Sequence, residues 1–150
     1  MQSYYLDEKA QKLVLTTIDN LLNCKKDSKY INQVIGEVFD MRSTIAYGLE
    51  RFWGEHIRFF QKDGVDKDKG EYWKETWDEF AKIMKEAGIE DLPESLSAQD
   101  IKKNDLDVQT EVNKLWKKNA EERQILLSIL TQFCDCMIWW TQRLKSRIKG

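Results

Sequence analysis

The sequence is poor in everything that interrupts a helix. One proline, Pro93, and seven glycines in 150 residues leave few points where the chain must turn, which favours long helices over many short strands. Histidine occurs once, at His56. A lone imidazole excludes most metal-ligand clusters and the usual His-based triads. It also excludes the paired Glu-x-x-His motifs of a di-iron bundle, since the residue three before His56 is Trp53. Cysteine is sparse and odd in number, with Cys24, Cys134 and Cys136, which reads as reduced thiols rather than a disulfide framework. Residues 1–9 contain no apolar signal region and no run of about 18 apolar residues occurs, so neither secretion nor a membrane span is expected and the chain reads as cytoplasmic. The formal net charge of −2 argues against a strongly basic nucleic-acid protein, so any such role must rest on local charge.

What is present is helical periodicity. With 41% hydrophobic and 33% charged residues, the chain has a globular composition with a charged exterior. Its length suits one domain, residues 1–150, able to bury roughly 70% of its unfolded surface without a metal or disulfide. Leu6, Ala10, Leu13, Val14, Thr17, Ile18 and Leu21 recur at steps of three and four, one face of a first helix over about 4–23. Asp27 or Ser28 can cap a second. Its pattern runs through Ile31, Val34, Ile35, Val38, Ile45, Leu49, Phe52, Trp53 and Phe60, as one long helix or as two divided near 42–44, where Ser and Thr favour caps.

Residues 62–70, with two glycines and alternating charge, read as a surface loop, and Asp68 and Glu71 have capping-box spacing for the helix that follows. That helix carries Trp73, Trp77, Phe80 and Met84 and ends at Gly88. Residues 90–96, around Pro93, read as a linker. Ser97 with Asp100 and Asn119 with Glu122 offer further capping boxes. The last helix is the most apolar stretch: Ile125, Leu126, Ile129, Leu130, Phe133, Met137, Trp140 and Leu144 form a stripe, widened by Leu127, Cys134, Ile138 and Trp139. The expected fold is therefore all-α, a compact bundle of about five to six helices with a long apolar C-terminal helix that sits centrally or meets a partner.

Few residues suggest chemistry. Arg51, four residues and His56 resemble the catalytic pattern of the HEPN ribonucleases, helical bundles in which a His acts as acid or base and an Arg steadies phosphate charge. The small polar residue that usually follows the Arg is here Phe52, and the plainer alternative is a partly exposed His beside a salt-bridging Arg. Cys134 and Cys136, two apart on a helix, point away from each other and read as small apolar residues. No cofactor, metal or small-molecule substrate is expected. The basic tail says more. Arg143, Lys145, Arg147 and Lys149 follow Asp135 with no acid between or after. They complement the helix dipole or meet phosphate or an acidic partner. Arg143 and Arg147, four apart, are expected on one side of the helix. Arg42, Arg51, Arg58 and Lys62 make a second basic set, diluted by Glu50 and Glu55.

Thr131, Trp140 and Arg143 stand in a Thr-x8-Trp-x2-Arg arrangement near the end of the chain, and Gly48-Leu49 precede the aromatic run Phe52, Trp53, Phe59 and Phe60. This resembles the small helical subunit of the Cmr complex, the type III-B CRISPR effector. The resemblance spans about a third of the chain. It departs from the family where no Pro precedes the Gly-Leu pair and where Thr141-Gln142 replaces a more basic pair before Arg143. The resemblance implies a non-enzymatic, antiviral-defence subunit that stacks with other protein subunits, and with its own copies, in an inner filament near a guide–target RNA duplex.

Overall fold

The computed structural model describes residues 3–103 and 105–148, with side chains placed over 5–101 and 108–148. Among the described residues every regular element is helical. The α-helices are α1 (Ser3–Asn23), α2 (Ser28–Ile35), α3 (Glu37–Thr44), α4 (Leu49–Phe60), α5 (Val65–Glu86), α6 (Ala98–Lys103), α7 (Asp105–Trp116) and α8 (Ala120–Arg143), with short 3-10 turns at Ile45–Tyr47 and Leu144–Arg147. The all-α expectation stands; the expected five to six helices are too few, because the long middle pattern is divided twice and α6 and α7 are separate helices.

One division falls just past 42–44, where α3 ends at Thr44. The next helix starts only after Gly48, whose φ of +105° is open to glycine and costly for other residues. The other division is at Gly36, where the chain stays in right-handed helical geometry, φ −65° and ψ −16°. A side chain at Gly36 would meet the Asn32 carbonyl oxygen at 2.8 Å, so glycine lets α2 and α3 join tightly. Glu37, the first residue of α3, is buried and accepts a 3.0 Å hydrogen bond from the Trp73 indole of α5. Burial holds its carboxyl above the usual carboxylate range, against the opposing pull of Trp73 and Lys69.

The expected loop over 62–70 is also corrected. The turn is short and α5 is already running at Val65. Gly70 is buried inside it, and a Cβ there would lie 2.9 Å from the Phe59 and Phe60 side chains. Glycine at this position permits close approach of α4 and α5 rather than marking a turn. Asp68 does not cap a helix; its carboxylate accepts the Tyr30 hydroxyl hydrogen bond from α2. Other local signals hold. Asp27 caps α2 through the Tyr30 amide at 2.8 Å. Asn119 and Glu122 form a reciprocal capping box on α8. Gly88, at φ +92°, ends α5 in a Schellman motif, with Ile89 N–H donating to Met84 C=O and Gly88 N–H to Lys85 C=O.

The two most extensive packings are α4 on α5 and α1 on α8. The first is aromatic: Phe52 lies 5.0 Å from Trp73 and 6.2 Å from Trp77 between ring centroids, in the tilted geometries that aromatic quadrupoles favour. The second is mainly aliphatic, with Leu6, Ala10, Val14 and Ile18 of α1 and Leu126, Leu130, Phe133 and Met137 of α8 all buried in one cluster. The helix α8 is 24 residues long, but it is not apolar around its circumference. Ile125 and Trp139 stand exposed beside Gln132 and Asp135, and one stripe alone enters the core. No helix among the described residues is long and apolar enough to cross a membrane.

Candidate binding interface

His56 is the first residue to place, because it is the sole imidazole. It is 1% exposed, and both ring nitrogens are engaged. Nε2 accepts the Leu96 amide hydrogen at 3.0 Å, so Nδ1 carries the proton and donates it to the Trp53 carbonyl at 2.5 Å. Burial pushes its pKa down to about 4, against a smaller upward pull from the Trp53 carbonyl. Arg51 points to solvent, five residues away on α4 and so about 140° around the helix. The structure does not bring this pair together. The plainer alternative is corrected too: His56 is buried rather than partly exposed, and Arg51 makes no ion pair within the described residues.

His56 holds the segment that reads as a linker. Residues 89–97 have no regular structure, yet Trp77 Nε1 donates to the Pro93 carbonyl at 2.7 Å and Trp53 Nε1 to the Glu94 carbonyl at 3.2 Å. The Glu94 amide donates to Glu111 at 2.8 Å, and Leu92 and Leu96 are buried. Polar backbone in an apolar setting must find partners, and here two indoles, one imidazole and the Glu111 carboxylate supply them. Beyond the strap, Ser97 and Asp100 exchange the reciprocal hydrogen bonds of a capping box ahead of α6.

The basic residues are dispersed rather than pooled. Arg42 pairs with Asp135 at 2.8 Å, joining α3 to α8. Arg58 pairs with Glu55 at 2.9 Å and lies over the Phe59 ring; the Glu55 hydrogen bond raises its pKa further, against a smaller opposing effect of burial. Arg147 turns away from α8 altogether, because the helix gives way to a 3-10 turn after Arg143, and pairs with Asp19 of α1 at 3.0 Å. The expectation that Arg143 and Arg147 line one helix side is thereby corrected. Lys149 lies outside the described residues. Arg143 and Lys145 are exposed and in no ion pair among the described residues. Arg143 instead lays its guanidinium over the Trp139 ring, 4.0 Å from the centroid.

The residues of the Thr-Trp-Arg arrangement serve three different ends. Thr131 returns its hydroxyl to the Leu127 carbonyl at 2.7 Å, an intrahelical bond. Trp140 is half-buried and not a core residue; its indole N–H donates to Asp7 of α1 at 2.9 Å. Arg143 faces solvent. Gly48 and Leu49 are structural: Gly48 makes the turn into α4 and Leu49 is fully buried. Of the cysteines, Cys134 is buried as expected, Cys136 half-buried and Cys24 exposed; burial raises the Cys134 thiol well above its ordinary range.

Aromatic residues counted with the apolar helix patterns, Trp139 among them, stand open to solvent. Phe39, Tyr47, Trp116 and Trp139 are 45%, 73%, 65% and 46% exposed. For Trp139 the signal was available, since it lies nine residues from Leu130 and so on the opposite side of the helix. Comparison of the chain with protein-family models, curated proteins and solved structures finds no match.

Proposed function

We propose that the chain is a non-catalytic structural subunit of a multi-subunit RNA-bearing assembly, of the kind the Cmr small subunit represents, and that it meets RNA through the C-terminal end of α8. The observation that supports this reading is the pair of cations at that end, Arg143 and Lys145, exposed and in no ion pair among the described residues, as Arg51 on α4 also is, while Arg42, Arg58 and Arg147 are matched with acids. Point charges without a local partner favour a phosphate or an acidic surface. Exposed aromatics elsewhere on the chain suit burial against protein neighbours. His56, the one imidazole, is engaged in holding the strap at residues 89–97, which speaks against a role in acid–base chemistry at the surface.

The test is affinity purification of the tagged full chain from its native cells, with and without ribonuclease. Recovery of an RNA-bearing complex of several subunits is expected. Protein partners recovered with no RNA would sink the RNA part of the reading. Ribonuclease activity of the purified chain that disappears in His56→Ala would sink the non-catalytic part.

A further inference from the structure

We propose that Trp139 and Arg143 form a stacking site for an unpaired base of single-stranded RNA; the inference rests on the proposed RNA-facing end of α8 and deepens it. Arg143, one turn beyond Trp139, covers one face of the indole with its guanidinium at 4.0 Å. It is held there by Gln142 Oε1 at 3.2 Å and by the Trp139 carbonyl at 3.5 Å. Trp140 stands edge-on to Trp139, 4.8 Å between centroids and 78° between planes, and is itself fixed to Asp7. The indole is therefore braced from one side and roofed by a planar cation that is exposed to solvent.

A guanidinium lying over an aromatic ring, as Arg143 lies over Trp139, leaves its far side open to a second planar group. An unpaired base is the occupant that combines such a plane with adjoining negative charge. The charge is compatible, since the acids placed at this end are engaged, Asp135 with Arg42, Asp19 with Arg147 and Asp7 with the Trp140 indole, while Arg143 and Lys145 are in no ion pair among the described residues. A duplex would gain little here, because its bases are already stacked and it presents phosphates alone.

The experiment is fluorescence anisotropy of a labelled oligouridine and of a matched RNA duplex with the full chain, at several salt concentrations. The variants are Arg143→Lys, which keeps the charge and loses the plane, Trp139→Leu, which keeps apolar bulk and loses the ring, and Arg143→Ala. Both positions of change are exposed, and melting curves confirm that the variants fold. The wild type is expected to prefer the single strand. Arg143→Lys and Trp139→Leu should each weaken it roughly tenfold, the scale of one lost base stack, with the salt slope unchanged. If both bind as wild type does while Arg143→Ala flattens the salt slope, stacking is overturned and the RNA-contacting role stands. If no RNA binds, or poly-glutamate of equal charge displaces the oligonucleotide equally well, both readings fall.

Discussion

The strap at residues 89–97 and the C-terminal end of α8 make opposite use of tryptophan. At the strap, Trp53 and Trp77 are almost wholly buried and spend their indole N–H groups on backbone carbonyls 41 and 16 residues away. At the end of α8, Trp140 is half-buried with its N–H on an Asp7 carboxylate, and Trp139 is open to solvent under Arg143. The strap side cannot lose a ring without stranding polar backbone in an apolar core. The α8 side can, because water reaches the groups left behind. Irregular backbone is therefore rigid in one place, and regular helix carries the adaptable surface in the other.

The same substitution in both regions gives the sharpest contrast. Trp77→Ala is expected to destabilise by about 3–5 kcal/mol, through the cavity and the unpaired Pro93 carbonyl. Trp140→Ala should cost about 1–3 kcal/mol. Urea unfolding measures both; equal losses would break the comparison and place Trp140 in the core.

A second expectation concerns pH. An imidazole whose folded pKa is about 4 takes up its proton more readily in the unfolded chain, near 6.5. Its contribution to stability is therefore intact above about pH 6.5. It is lost as pH falls toward 4, by up to about 3 kcal/mol. The carboxyls of Glu37 and of Glu75 on α5, both raised chiefly by burial, have the opposite sign, since protonation favours their folded forms. The His56 share is thus read from a difference. His56→Gln should be less stable than wild type at pH 7, and the gap should narrow at pH 4.5. A gap that stays constant between those two values would mean that His56 does not hold the strap as a neutral acceptor.

The smallest effect belongs to the exposed Arg42–Asp135 pair that ties α3 to α8. A double-mutant cycle with Arg42→Ala and Asp135→Ala should give a coupling of about 0–1 kcal/mol, shrinking with salt. A larger coupling would mean that the α8 surface depends on specific polar contacts as much as the strap does.

The sequence by itself determined what is settled within a turn or two of the chain. Helical class followed from apolar spacing, and the caps at Asp27, Asn119 and Gly88 from residues three to five positions from their partners. The basic end of α8 could be located the same way. The tertiary structure alone decided how those residues are employed. Gly70 reads as a loop glycine until α4 is seen to press Phe59 and Phe60 against it. Arg147 reads as a neighbour of Arg143 until Asp19, 128 residues away, draws it aside. Residues 90–96 read as a linker until His56, Trp53 and Trp77 are found beneath them. The physical reason is common to all three. Periodicity and caps are interactions between near neighbours in sequence, whereas burial, close approach and charge pairing depend on which distant helix arrives, and no local pattern records that.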